Sequence, residues 1–178
     1  MLTLARTIYG EAAGEPWLGK EAVSHVVLNR ARSGRYPASA TEVCLQPKQF
    51  SCWNANDPNF PKIRNLQPGT DAVFDNCCEI AEKALHGLLN DPTGGALHYH
   101  ADYIDKPSWV IRSPNAKLTA MIGHHLFYTG IAEQASDQSA SALSIAGINS
   151  WRTPSSVSGP MNLCRITPSF TTKVSGTP

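Results

Sequence analysis

Between residues 71 and 88 apolar side chains recur every three or four positions: Val73, Phe74, Cys77, Ile80, Ala81, Ala84, Leu85 and Leu88. That period is one face of an α-helix, and a stripe this long has to be covered by other elements. A second stripe, Ala22, Val23, Val26, Val27 and Ala31, predicts a helix over 19–32, stopped by Ser33-Gly34. A shorter one, Leu4, Ala5, Ile8 and Tyr9, predicts a helix over 2–10 with Gly10 at its end. Ser39-Ala40-Thr41-Glu42 has capping-box spacing and opens another short helix. Residues 47–69 are rich in Pro, Asn and Gln and read as a long surface loop, a kind of segment that often carries function. Past the turn cluster Asn90–Gly95 the pattern changes to short strand-like runs, Ala96–His100, Trp109–Ile111 and His125–Tyr128. The expected class is α+β, helices dominant, with a small sheet late in the chain.

From about Gly130 the composition shifts to Ser, Ala, Thr, Pro and Gly, with apolar islands at Ile145–Trp151 and Met161–Ile166. We read 1–129 as the domain and 130–178 as a tail that wraps it or serves as a linker. A domain of that size buries a core without metal or disulfide staples. Lys+Arg 15 against Asp+Glu 14 gives a net charge of +1, which argues against a charge-driven nucleic-acid binder. No window approaches a membrane span. No signal peptide is visible ahead of the first helix, so either the chain was trimmed or it reaches its target by another route. A monomer is expected.

The cysteines are Cys44, Cys52, Cys77, Cys78 and Cys164, with no CxxC pair. Five in a chain of this length lean towards an oxidising compartment with one or two bridges. Cys44 and Cys52 flank Gln49-Phe50, and a bridge between them would close a short loop. Rival pairings use Cys77 or Cys78, with Cys164 tying the tail to that helix. All five reduced and buried is the remaining alternative.

Four sets of residues are candidates for chemistry. Glu11 and Glu15 lie four apart just past the first helix, among Gly10, Gly14 and Pro16. Apolar surroundings such as Ile8 and Tyr9 favour the protonated form of a carboxyl, the form that protonates a glycosidic oxygen. Helix-end charges in water are the plainer account of the pair. His98 and His100 share a strand face and, with His125, offer a zinc set, although no HExxH is present. Any of the cysteines could serve as a nucleophile beside a histidine, though none carries a recognisable signature. Gln49, Phe50, Trp53, Asn54, Tyr99, Tyr103 and Trp109 supply aromatic faces and amides without charge, the mix that lines sugar-binding grooves.

The segments also form an ordered series. Leu4-Ala5-Arg6-Thr7-Ile8-Tyr9-Gly10-Glu11-Ala12 leads into Gly14-Glu15-Pro16, Gly19–Val23 and Val26-Val27-Leu28-Asn29-Arg30. Gln49-Phe50-Ser51, Asp91–Ala96, His98-Tyr99, Trp109 and Ile122–Phe127 follow. The series, over residues 3–129, resembles the SleB/CwlJ cell-wall hydrolases, known from spore cortex-lytic enzymes and from phage and proteobacterial members. The Cys-containing Gln49–Trp53 stretch is similar to the latter. The resemblance implies a lysozyme-like, lytic-transglycosylase-like helical domain, a peptidoglycan substrate, no cofactor or metal, and a catalytic acid at Glu11. Glu15 matches a second, positioning role. Gln49, Phe50, His98, Tyr99, Trp109 and His125 are then the expected substrate-binding residues. The enzyme would act on the wall, in the periplasm or outside the cell, released by a phage or carried in a virion as one route. Zinc- or cysteine-dependent amidases or peptidases, and a non-catalytic glycan-binding module, are the rival classes.

Overall fold

The computed structural model describes residues 1–132. Six helices and three strands follow one another: α1 (Leu2–Ala12), α2 (Trp17–Arg32), α3 (Ala40–Leu45), α4 (Phe60–Asn65), α5 (Ala72–Leu85), β1 (His98–Ala101), α6 (Ser108–Ile111), β2 (Lys117–Ile122) and β3 (His125–Thr129). A single turn of 3-10 helix at Ser51–Trp53 precedes α4.

The stripes read from the sequence meet in the main core. Leu4, Ala5 and Ile8 of α1, Val27 of α2, Val43 of α3 and Phe74, Cys77, Ile80 and Ala81 of α5 form one buried cluster. Ser39 caps α3 as its spacing predicts, its hydroxyl accepting the Glu42 N–H and donating to the Glu42 carboxylate (2.6 Å). Asp71 caps α5 through the N–H groups of Val73 and Phe74. Its other oxygen accepts the Tyr9 hydroxyl at 2.9 Å, which fixes the start of α5 against α1.

The sheet is antiparallel in the order β1-β3-β2. Tyr99 pairs with Phe127 and Ala101 with His125, so these side chains share one face. That face packs on α2 through Ala22, Val26, Ala96 and Phe127. The opposite face carries His98, His100, Leu126 and Tyr128 and is covered by Trp109 and Val110 of α6.

Several expectations are corrected. The 47–69 segment is not a plain surface loop. Phe50, Cys52, Ile63 and Leu66 are all buried in the main core, and short helices carry them there. Trp109–Ile111 is helical, because Pro107 sets the entry to α6 and three apolar residues are too few to fix a period. Strand β2 was not anticipated; all six of its residues are exposed or half-buried, and its apolar residues Leu118, Ala120, Met121 and Ile122 do not alternate cleanly. Helix α5 ends at Leu85, short of residue 88, and the stripe frays at both ends: Val73 and Leu85 face solvent, as does Leu88 beyond the helix. Packing continues past 129: Ile131 is buried with Val110 and Tyr128, and the Ala132 N–H donates to Ser113 Oγ (2.9 Å). The tail islands and Cys164 lie outside the described residues.

Candidate active site

Helix α1 runs two residues further than its stripe suggests, so Glu11 sits in its last turn, half-buried. Gly10 lets the 3-10 turn close on it: a Cβ there would lie 2.6 Å from Cys52 Cβ and 2.8 Å from Ile63 Cδ1. Tyr99 reaches across from β1 and donates its hydroxyl to Glu11 Oε2 at 3.0 Å. Burial, reinforced by the adjacent Glu11 carboxylate, holds the Tyr99 phenol well above its ordinary pKa, so it remains a donor. Glu11 Oε1 is buried and has no hydrogen-bond partner. The carboxyl is therefore held by one oxygen and leaves the other uncommitted.

His125 lies edge-on to Tyr99, ring centroids 4.9 Å apart, and Phe127 backs the same tyrosine at 5.6 Å. Burial keeps the His125 imidazole below its usual pKa, and its Nδ1 has no partner. Glu15, in the turn between α1 and α2, accepts the His124 backbone N–H on Oε2 at 3.1 Å.

The other expected site residues make no hydrogen bond or ring contact to Glu11 or Tyr99 among those described. Phe50 is a core residue, 2% exposed, with the Arg30 guanidinium over its ring at 5.1 Å, so it offers no surface to a ligand. Gln49 is half-buried just ahead of it, and its side chain makes no hydrogen bond to Glu11. His98 and Trp109 pack together (5.4 Å) on the sheet face opposite Tyr99. Burial, then the charges of Arg30 and Arg35, push the His98 imidazole down to about 4. Gly123 and His124, which the sequence offers only as part of the Ile122–Phe127 motif, meet Glu15 through their backbone.

The same geometry bears on the rival chemistries. His98 and His100 project from one sheet face and His125 from the other, so the three cannot converge on one ion. Among the described residues no group of three or more His, Cys, Asp or Glu is arranged to hold a metal. Cys44, Cys52, Cys77 and Cys78 are free thiols, so the Cys44–Cys52 bridge is not formed. Burial pushes Cys44 up to about 11 and Cys77 to about 12, and raises Cys52 and Cys78 as well. Such thiols are poor nucleophiles. Among the described residues no helix is long and apolar enough to cross a membrane.

The Asn29-Arg30 and Asp91–Gly95 motifs serve the frame. The Asp91 carboxylate accepts the N–H groups of Thr93 and Gly95, the Thr93 hydroxyl and the Asn29 amide. Asn29 also donates to Ala96 O and Arg30 to Leu97 O, which ties the lead into β1 to α2.

The sequence profile of the cell wall hydrolase family matches residues 14–128. The chain belongs to the cell wall hydrolase family. The profile takes in Glu15 and Tyr99 and begins three residues after Glu11. The chain is 32% identical to the spore cortex-lytic enzyme of Bacillus cereus over 126 residues, 70% of this chain and 42% of that protein. It is 32% identical to the spore cortex-lytic enzyme of Bacillus subtilis over 126 residues, 35% of that protein. The chain thus spans less than half the length of these curated relatives. The catalytic domain of the Bacillus cereus SleB protein superposes with a TM-score of 0.57 at 29% identity, covering 72% of this chain and 88% of that one. The catalytic domain of the germination-specific lytic transglycosylase SleB from Bacillus anthracis gives the same TM-score and identity and is covered over 92% of its length. The lysozyme-like helical fold with a small sheet is thereby the SleB catalytic fold.

Proposed function

We propose that this hydrolase cleaves peptidoglycan strands as a lytic transglycosylase, with Glu11 as its single catalytic acid. The observation that carries the reading is the asymmetric carboxyl, Oε2 held by the Tyr99 hydroxyl and Oε1 unpartnered. With Tyr99 donating to Oε2, the proton of the acid form resides on Oε1. Glu11 donates it to the oxygen between N-acetylmuramic acid and N-acetylglucosamine, and the muramic ring passes through an oxocarbenium-like state. The carboxylate left behind takes the proton of the sugar's own C6 hydroxyl. That oxygen closes on C1 and gives a 1,6-anhydro product. Because Oε1 is screened from water, glycan binding has to turn the side chain or its cover outward. The likeness to the germination-specific lytic transglycosylase SleB of Bacillus anthracis supports the same reaction class.

We assign the activity to residues 1–129, acting as a monomer on the wall in the periplasm or outside the cell. Tyr99 and His125 are the substrate-side residues nearest the acid. A phage source draws no support from the relatives above. The test is Glu11→Gln on purified sacculi. It is isosteric and removes the proton, so lysis should fall by at least 10²-fold with the melting temperature unchanged. Residual activity above about a tenth of the parent, in a folded variant, contradicts the assignment.

A further inference from the structure

Glu15 matters because a second carboxylate near the acid would let water compete with the C6 hydroxyl. Its surroundings are specific. The buried Lys20 ammonium donates to the Glu15 backbone carbonyl and fixes the peptide from which the side chain springs. A Cβ at Gly19 would come 2.8 Å from Glu15 Cβ, so that helix turn is shaped to the side chain. On the far side, Oε2 accepts the His124 N–H in the turn joining β2 to β3. Gly123 opens the slot: its φ is +56°, and a Cβ there would lie 1.7 Å from Glu15 Oε2. The residue after His124 is His125, which meets Tyr99, which holds Glu11.

We propose that Glu15 is a positioning residue that clamps the β2–β3 turn to the α1–α2 corner and so sets Tyr99 against Glu11, and that it does not activate water. The inference rests on Glu11 being the acid. An acceptor of a backbone N–H is replaced by an amide oxygen, whereas a base that takes a proton from water is not. Gln and Ala at position 15 therefore separate the two roles.

On purified sacculi, Glu15→Ala should lower kcat at least about tenfold with KM within about twofold. Glu15→Gln should restore kcat to within about threefold of the parent. The ratio of anhydro to reducing-end products should be unchanged in both. Gly123→Ala should reproduce the loss by forcing the carboxylate from its slot. In the Glu15→Ala background the added methyl finds room, so the double variant should lose less than the two single losses combined, in kcat and in melting temperature. The melting-temperature coupling needs no activity, so it stands or falls separately from the Glu11 assignment, which Glu11→Gln tests. A folded Glu15→Gln as inactive as Glu11→Gln, a shift towards reducing-end products, full activity in Glu15→Ala, or additive melting losses would each overturn the clamp. If Glu15→Ala does not fold, the pair Glu15→Gln and Gly123→Ala decides. Near-parental rate in the first with loss in the second supports the clamp, and any other pair contradicts it.

Discussion

Tyr99 is the residue on which the geometry of the acid turns. Its ring is packed between His125 and Phe127, and only its hydroxyl touches Glu11. Tyr99→Phe keeps the packing and removes the hydroxyl that donates to Oε2. A hydrogen bond to a charged group contributes about 1.5–3 kcal/mol to stability, so the melting temperature should fall by that equivalent, and kcat should fall at least about tenfold as the carboxyl loses its orientation. Steady-state kinetics beside a thermal melt checks this, and a rate within twofold of the parent would show that Tyr99 does not hold the acid. The cysteines make a second prediction at this scale. The four described thiols are raised by burial, so the native protein should react slowly with iodoacetamide near pH 8 and rapidly once unfolded. A Cys44–Cys52 peptide in a non-reducing map would contradict the free thiols.

At the scale of elements, the link between α2 and the sheet depends on one turn. Asp91 gathers four donors, and burial, which alone would raise its pKa, is outweighed by those hydrogen bonds, so the carboxylate is favoured. Asp91→Ala strands the donors at a partly exposed site and should cost about 1–2 kcal/mol, measured by urea unfolding. No loss of stability would mean that the turn is held by its glycines alone. The helices were legible in the sequence because α1, α2 and α5 each bury a stripe that repeats at helical period. The site was legible only in part. Glu11 stood out through its motif, and Tyr99 through its place on a strand. Phe50 is a core residue, and His98 and Trp109 sit on the sheet face away from Tyr99, because composition does not reveal which way a side chain faces. A one-residue offset puts His98 and Tyr99 on opposite faces of β1. Strand β2 is apolar at Leu118, Ala120, Met121 and Ile122, but the run Ala120–Ile122 breaks the alternation of a strand, and the short helices between α3 and α5 are too brief to show a period, so only tertiary packing fixes them. The disulfide expectation rested on cysteine number, which does not distinguish a bridge from a buried thiol.

At the scale of the whole molecule, buried imidazoles link stability to pH. His98 is pushed down to about 4, and burial lowers His25 and His125 as well. Each therefore binds a proton more weakly in the folded state than in the unfolded chain. The unfolded state takes up protons first, so stability is full above the ordinary imidazole range near 6.5 and is lost progressively as pH falls towards 4. His98 alone accounts for roughly 2–3 kcal/mol of that loss. Urea unfolding at pH 7.5, 6, 5 and 4.5 should show the decline, and constant or rising stability over that range would contradict it. The claim at the centre of the account is that this fold cuts glycan strands with one acid and no activated water. Mass spectrometry of purified sacculi digested in ¹⁸O-water tests it most directly. The products should be 1,6-anhydromuropeptides free of ¹⁸O, absent from the Glu11→Gln digest. Reducing-end muropeptides carrying ¹⁸O, or stem peptides released from intact glycan strands, would contradict it.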